Sequence, residues 1–215
     1  LGDHALTSAD FAPTDLTVEM LFLIESKSAV MASALERNAR LHSARVVAEE
    51  QALTDTLTGL GNRRAVDLEL GRLAARRRPF VLMHLDLDHF KQINDQHGHR
   101  TGDEILSAAA SAISRISRPY DRLFRYGGDE FVAIISGEDS SDAFRVVERM
   151  VEAVRGIKLR SSRGEVHLTC SAGLVSPSAA SGIVEPNQVL ELADRALYHA
   201  KSRGRDRALV YSSLL

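Results

Sequence analysis

At 215 residues the chain has room for one domain of ordinary size plus an additional segment. A formal charge of −2 leaves no basic footprint for nucleic acid, and the single cysteine, Cys170, excludes an intrachain disulfide framework and fits a reducing compartment. The longest apolar run near the start, Met20 to Ile24, is too short to span a bilayer. No basic stretch precedes it, so a signal peptide is not expected and the chain reads as cytoplasmic, with no membrane segment. It opens on Leu1 rather than methionine, as a fragment of a longer protein would.

Leu1 to Pro13 lacks periodicity and reads as a tail. From about Asp15 to Thr54 there is neither proline nor glycine, and apolar residues recur from Leu16 through Met20, Leu23, Ile24, Met31, Leu35 and Leu41 to Leu53. Thr14 or Asp15 is placed to cap this segment, and Glu19 sits where a carboxylate suits the helix dipole. The expectation is one long helix, or two nearly continuous ones, whose apolar stripe pairs with a second copy of the chain. Lys27, Arg37 and Asn38 fall near that seam and make its heptads imperfect. The boundary after residue 54 divides a segment 1–54 from a domain 55–215.

Asp55 to Arg64 is a turn rich in glycine and asparagine, and a helical period resumes from Arg64 to Arg76. Arg76-Arg77-Arg78-Pro79 reads as a solvated loop. Phe80 to Leu87 is almost continuously apolar, the mark of a strand buried on both faces. Ile105, Leu106, Ala109, Ile113 and Ile116 mark the next helix. Leu123–Tyr126 and Phe131–Ile135 are hairpin arms, Ser141–Val154 a helix, Val166–Val175 a strand, Val189–Ala200 a helix and Ala208–Tyr211 a last strand. The fold class is α/β (α+β): a mixed, largely antiparallel sheet flanked by helices and preceded by the long N-terminal helix.

Between the hairpin arms stands Gly127-Gly128-Asp129-Glu130. Glycines let a backbone turn tightly and approach a ligand, but alone this is an ordinary polar turn. Asp86 ends the buried strand, with Asp88 two residues on, and an uncompensated carboxylate there costs free energy. If the strand pairs beside the hairpin, Asp86 and Asp129 converge, and carboxylates with room for phosphate oxygens suit Mg²⁺. His84, His89, His97 and His99 are not read as a zinc site, since no cysteine assists them.

Asp86-Leu87-Asp88-His89-Phe90-Lys91-Gln92-Ile93-Asn94-Asp95, then Gly98-His99, Gly102-Asp103 and Arg125-Tyr126-Gly127-Gly128-Asp129-Glu130-Phe131, resembles the GGDEF family of diguanylate cyclases. Asp55-Thr56-Leu57-Thr58-Gly59-Leu60-Gly61-Asn62-Arg63-Arg64 resembles the family's opening, and Ala196 to Arg207 its C-terminal signature. The stretch from Phe11 to Leu41 also resembles the last helix of a GAF sensory domain. The resemblance implies a palm-like nucleotidyl cyclase fold that condenses two GTP into cyclic di-GMP and releases two pyrophosphates, as a homodimer under an upstream sensor.

The roles follow by resemblance. Asp86, Asp129 and the backbone carbonyl of Leu87 would hold two Mg²⁺ (or Mn²⁺) ions. Asp129, helped by Glu130, would deprotonate the attacking hydroxyl, while Gly127 and Gly128 lie against the nucleotide. Lys91 would face the triphosphate, and Lys201 with Arg205, read as i and i+4 on one helix face, would clamp the terminal phosphates. Asn94 and Asp103 match the guanine readers. A carboxylate accepts from guanine N1–H and N2–H₂, and adenine lacks that pair of donors, so rejection by about 10⁴-fold is expected. Arg118 and Asp121, with a secondary contact from Arg149, resemble an inhibitory site for the product. The alternative is a catalytically silent module that binds GTP or cyclic di-GMP and signals through its helix.

Overall fold

The computed structural model describes residues 16–76, 79–137, 140–177 and 185–211. The chain divides into two compact units, 1–52 and 53–215. In the first, the described residues form α1 (Leu16–Leu53), a single helix of 38 residues with Glu19 in its first turn. Successive helical residues point about 100° apart, so Met20, Leu23 and Ile24 share a face as expected, while Leu21 and Phe22 of the same apolar run point away from it. Its members are all exposed, as are Val30, Met31, Leu35 and Leu41. The expected tail, the Thr14 or Asp15 cap and the start of the GAF-like stretch lie outside the described residues.

The second unit runs β1 (Gly61–Asn62), α2 (Arg63–Arg76), β2 (Phe80–Leu87), α3 (Phe90–His97), α4 (His99–Ile116), β3 (Arg122–Arg125), β4 (Glu130–Ser136), α5 (Ser140–Arg155), β5 (Leu159–Ser161), β6 (Gly164–Val166), β7 (Cys170–Val175), α6 (Pro186–Ser202) and β8 (Ala208–Val210). Six strands form one sheet in the order β1-β3-β4-β2-β7-β8. Its inner pairs are antiparallel, and only the outer pairs, β1 with β3 and β7 with β8, are parallel.

β2 is the sheet's middle, and alternation along it explains the helices on both sides. Val81, Met83, Leu85 and Leu87 join the core built with Ile105 and Ile113 of α4 and Val147 and Met150 of α5. Phe80 and Leu82 point the other way, onto Val66 and Leu70 of α2 and Val189 and Ala193 of α6. The near-continuous apolar run is thus one strand serving two cores.

The structure corrects one strand. Val166 to Val175 is not continuous: Val166 closes β6, which pairs only with β5, and the large sheet resumes at Cys170. The β5–β6 hairpin turns through Gly164 at φ 123°. It braces the end of α3, where the Arg163 guanidinium donates to the Gln96 carbonyl at 2.6 Å and Ser161 Oγ lies 2.7 Å from His97 Nδ1. Too few apolar residues lie in this hairpin to announce it in the sequence.

Gly173 shows how tightly α6 lies on the sheet. A Cβ there would run into the backbone of α6 at Ala193 O and Leu197 N, and neither can swing aside as a side chain would. Gly173→Ala should therefore lower the stability of the domain by about 1–3 kcal/mol or more. An unchanged denaturation midpoint with an unchanged slope would contradict this packing.

Candidate active site

The antiparallel ladder of β2 and β4 sets Asp86 opposite Glu130. The Leu87 N–H donates to the Asp129 carbonyl at 3.2 Å, which ties the hairpin tip to the head of β2. Asp86, Asp129 and Glu130 therefore lie at one end of the sheet's central pair, near enough for the charges of the last two to act on the first. Burial raises the Asp86 pKa above the ordinary carboxylate range, the negative charges of Asp129 and Glu130 raise it further, and Lys201 opposes them. Glu130 is raised in the same way, by burial first and then by Asp129.

Gly127 lies close beneath the Glu130 side chain. A Cβ there would collide with the Glu130 carboxylate, whereas nothing crowds Gly128. Neither glycine takes a left-handed φ. The turn is held from below by Arg125, whose guanidinium donates to the Gly128 carbonyl at 2.8 Å and to both carboxylate oxygens of Asp55 at 3.2 and 3.3 Å. Asp55 also accepts from the Thr58 amide and hydroxyl. Burial works to raise its pKa, but the Thr58 hydrogen bonds and Arg125 outweigh it and the net direction is down. Asp55 and Arg125, motif residues with no task visible in the sequence, fasten the opening turn to the hairpin.

Lys91 lies exposed in the first turn of α3, where a cation opposes the helix dipole. Asn94 packs against Gly102 of α4, whose missing Cβ leaves the space that the amide fills. The Asn94 Oδ1 is buried without a hydrogen-bond partner, and Asp103 stands exposed one residue beyond Gly102. Buried acceptors are nearly always paired, so this oxygen is one of the exceptions among the described residues.

Lys201 and Arg205 do not share a helix face. α6 ends at Ser202, Gly204 turns the chain at φ 106°, and Arg205 follows at φ 60°. Lys201 Nζ lies 2.9 Å from Asp86 Oδ1, so its first partner is an acid of the site.

The residues matched to an inhibitory site are divided. Arg118 and Asp121 line a cleft of about 420 Å³ with Gly59, Gly61 and Ser114. Asp121 is already engaged, accepting from the Arg118 amide at 2.8 Å and the Ser136 amide at 3.3 Å. Arg149 lines a different cleft, of about 590 Å³, with Arg145, Arg155 and Arg207.

Asp88 is separated from the acids it was grouped with. It is 3 % exposed and accepts from the Thr169 hydroxyl, the Ser171 hydroxyl and the Asp206 amide, so its burial is compensated. His84, on the same side of β2 as Asp86, was dismissed only as a zinc ligand. It is buried, edge-on to Tyr126 at 5.6 Å, and 3.7 Å from the Asp194 carboxylate, too far for a hydrogen bond. Burial lowers its pKa, which keeps the imidazole neutral. Arg63 stacks over the other partner, Tyr126, at 4.7 Å.

Among the described residues no three His, Cys, Asp or Glu side chains form a ready-made metal cage. The donors at hand are carboxylate oxygens that repel one another, at a strand end beside an exposed turn. That set fits a hard divalent cation which completes its shell from substrate phosphates and water, as Mg²⁺ does.

A largely antiparallel sheet with helices on both faces and acids at the end of its middle strand is the architecture of the palm-like nucleotidyl cyclases. The family model for the diguanylate cyclase GGDEF domain matches residues 52–207. Diguanylate cyclase DgcP of Pseudomonas aeruginosa is 37 % identical over 180 residues, 81 % of this chain and 26 % of DgcP. Diguanylate cyclase DosC of Escherichia coli is 35 % identical over 174 residues, 79 % of this chain and 37 % of DosC. Among solved structures, the coiled coil and GGDEF domain of DgcB from Caulobacter crescentus, in complex with c-di-GMP, superimposes with a TM-score of 0.76 at 34 % identity. It covers 86 % of this chain and 99 % of that one. Diguanylate cyclase SiaD of Pseudomonas aeruginosa, in complex with its activator SiaC, gives 0.71 at 31 % identity, over 91 % and 79 % of the two chains. The chain belongs to the GGDEF diguanylate cyclase family, and it spans about a quarter to somewhat over a third of the length of these curated relatives.

The crowded carboxylates carry a pH signature. Because the folded-state pKa of Glu130 is raised, its ionised form costs stability above the ordinary glutamate range, and the cost disappears below that range. In metal-free protein, Glu130→Gln should raise the melting temperature at pH 7 by roughly 1–4 °C. The gain should shrink as the pH falls through the carboxylate range; a lower melting temperature at pH 7 would contradict it.

Proposed function

We propose that this chain is the catalytic part of a diguanylate cyclase: it condenses two GTP into cyclic di-GMP and releases two pyrophosphates. The observation that carries the reading is the meeting of Asp86, Asp129 and Glu130 at the head of the β2–β4 ladder. GGDEF diguanylate cyclases are in general metal-dependent, and Asp86, Asp129 and the Leu87 carbonyl are the groups to hold two Mg²⁺ (or Mn²⁺) ions. When bound, the metals supply positive charge that stabilises the attacking 3′-oxygen and the leaving pyrophosphate.

The chain's own residues do the rest. Asp129, with Glu130 beside it, takes the proton from the 3′-hydroxyl of one GTP. That oxygen forms a bond to the α-phosphorus of the other GTP while the bond to pyrophosphate breaks, and a second such step closes the ring. Lys91, Lys201 and Arg205 offer cations to the triphosphate, with Lys201 reaching it from beside Asp86. Gly127 and Gly128 leave room for the nucleotide. The unpartnered Asn94 Oδ1 supports a guanine site, since guanine brings N–H donors and the Asp103 carboxylate accepts from the same edge.

With GTP and Mg²⁺ the purified protein should make cyclic di-GMP and little product from ATP. Asp129→Ala should lower turnover by about 10²–10⁴-fold with fold retained. Arg118, Asp121 and Arg149 are the groups for product inhibition, so added cyclic di-GMP should slow the parent and leave Arg118→Ala unaffected. Tight product binding without turnover, at high protein concentration and after removal of bound product, would replace this reading with that of a silent receptor.

The segment 1–54 is read as a dimerising and signalling helix ahead of the cyclase domain 55–215. Two GTP-loaded sites must meet, and an upstream sensor would act by changing how two copies of α1 pair. The exposed apolar residues of α1 support a homodimer, and a cytoplasmic place belongs to the same reading; among the described residues no helix is long and apolar enough to cross a membrane. Removing residues up to Ala52 should reduce both dimerisation and turnover. Unchanged sedimentation and rate would refute this role for the helix.

A further inference from the structure

We propose that Asp88 and Arg155 are positioning residues: they hold the backbone of Arg205 in a left-handed conformation and so aim its guanidinium at the substrate's phosphates. The inference rests on the reading of Arg205 as a phosphate contact. Beyond the end of α6, Gly204, Arg205 and Asp206 take φ of 106°, 60° and 50° in succession. Glycine accepts this freely, but two consecutive residues with a Cβ do not, and such a segment persists only where its surroundings over-determine it.

The surroundings are on hand. The Asp206 amide donates to Asp88 Oδ2 at 3.1 Å. Arg155 grips the same residue from α5, donating to its carboxylate at 2.8 Å and to its carbonyl at 3.3 Å. Arg207 returns a guanidinium N–H to the Arg205 carbonyl at 2.9 Å. Asp88 in turn is anchored, since the hydroxyls of Thr169 and Ser171 each donate to it at 2.8 Å. It stands two residues past Asp86, so one rigid turn carries both an acid of the site and the anchor of the phosphate grip. Arg205 itself is exposed, which leaves its guanidinium free to face a ligand.

The test is binding of GMP and of a GTP analogue with a non-reactive α–β bridge, with KM and kcat for GTP alongside. Arg155 is half-exposed and can be truncated without opening the core. Arg155→Ala should weaken the GTP analogue by about 10-fold, leave GMP within about twofold, and raise KM more than it lowers kcat. Asp88→Ala should do the same or more. Asp88→Asn should retain most of the affinity, because its amide can still accept from the Asp206 N–H and donate to a hydroxyl. On an Arg205→Ala background, Arg155→Ala should add nothing, as expected for a residue acting through another. Equal losses for GMP and the GTP analogue, or additive losses on that background, would overturn the inference. If Arg205→Ala weakens the analogue but Arg155→Ala does not, the positioning role alone is wrong. If Arg205→Ala itself changes nothing, the phosphate reading of Arg205 falls and the inference with it.

Discussion

The register of β2 against β4 is the constraint on which the rest depends. In an antiparallel ladder a slip of one residue moves every side chain to the opposite face. Here both faces carry apolar side chains, and the six of β2 are divided between two cores, so the register cannot drift. That rigidity puts Asp86 opposite Glu130, where burial and then the charges of Asp129 and Glu130 raise its pKa and the Lys201 amine becomes the natural neighbour. Free energy gained by packing two apolar cores thus maintains a cluster of acids that would not gather by itself.

Asp86 and Asp88 show how one chemical group serves two ends. Asp88 is buried and fully supplied with donors, so it acts as a structural peg between β7 and the loop after α6. Asp86 has one cation and two repelling neighbours, an arrangement that favours a ligand of high positive charge. The Asp55–Arg125 pair belongs with the pegs, because it spends both groups on holding the hairpin turn.

Much of this was legible in the chain. The apolar run of β2, the helical periods of α2, α4 and α5, and the meeting of Asp86 with the hairpin all follow from periodicity and the need to compensate acids. The break between Val166 and Cys170 was not, because Leu168 keeps the alternation while Thr169 turns its carbonyl to the Asp88 amide. Nor was the parting of Lys201 from Arg205, since Gly204 ends the helix between them and spacing alone assumed that it continues. On α1, Met20, Leu23 and Ile24 fall on one face at helical spacing, as expected, while Leu21 and Phe22 add apolar surface away from it.

The sequence by itself determined which residue types are available and where buried strands and helices must run, because hydrophobic periodicity is a local property. It also carried the family motifs, whose order is a linear fact. Only the tertiary structure decided which carboxylates are pegs and which are open to a ligand. That distinction lies in donors brought from residues far along the chain, such as Ser171 and Asp206 to Asp88, or Lys201 to Asp86. Whether Asn94 is satisfied, and which cleft Arg149 faces, depend likewise on elements packed together by the fold.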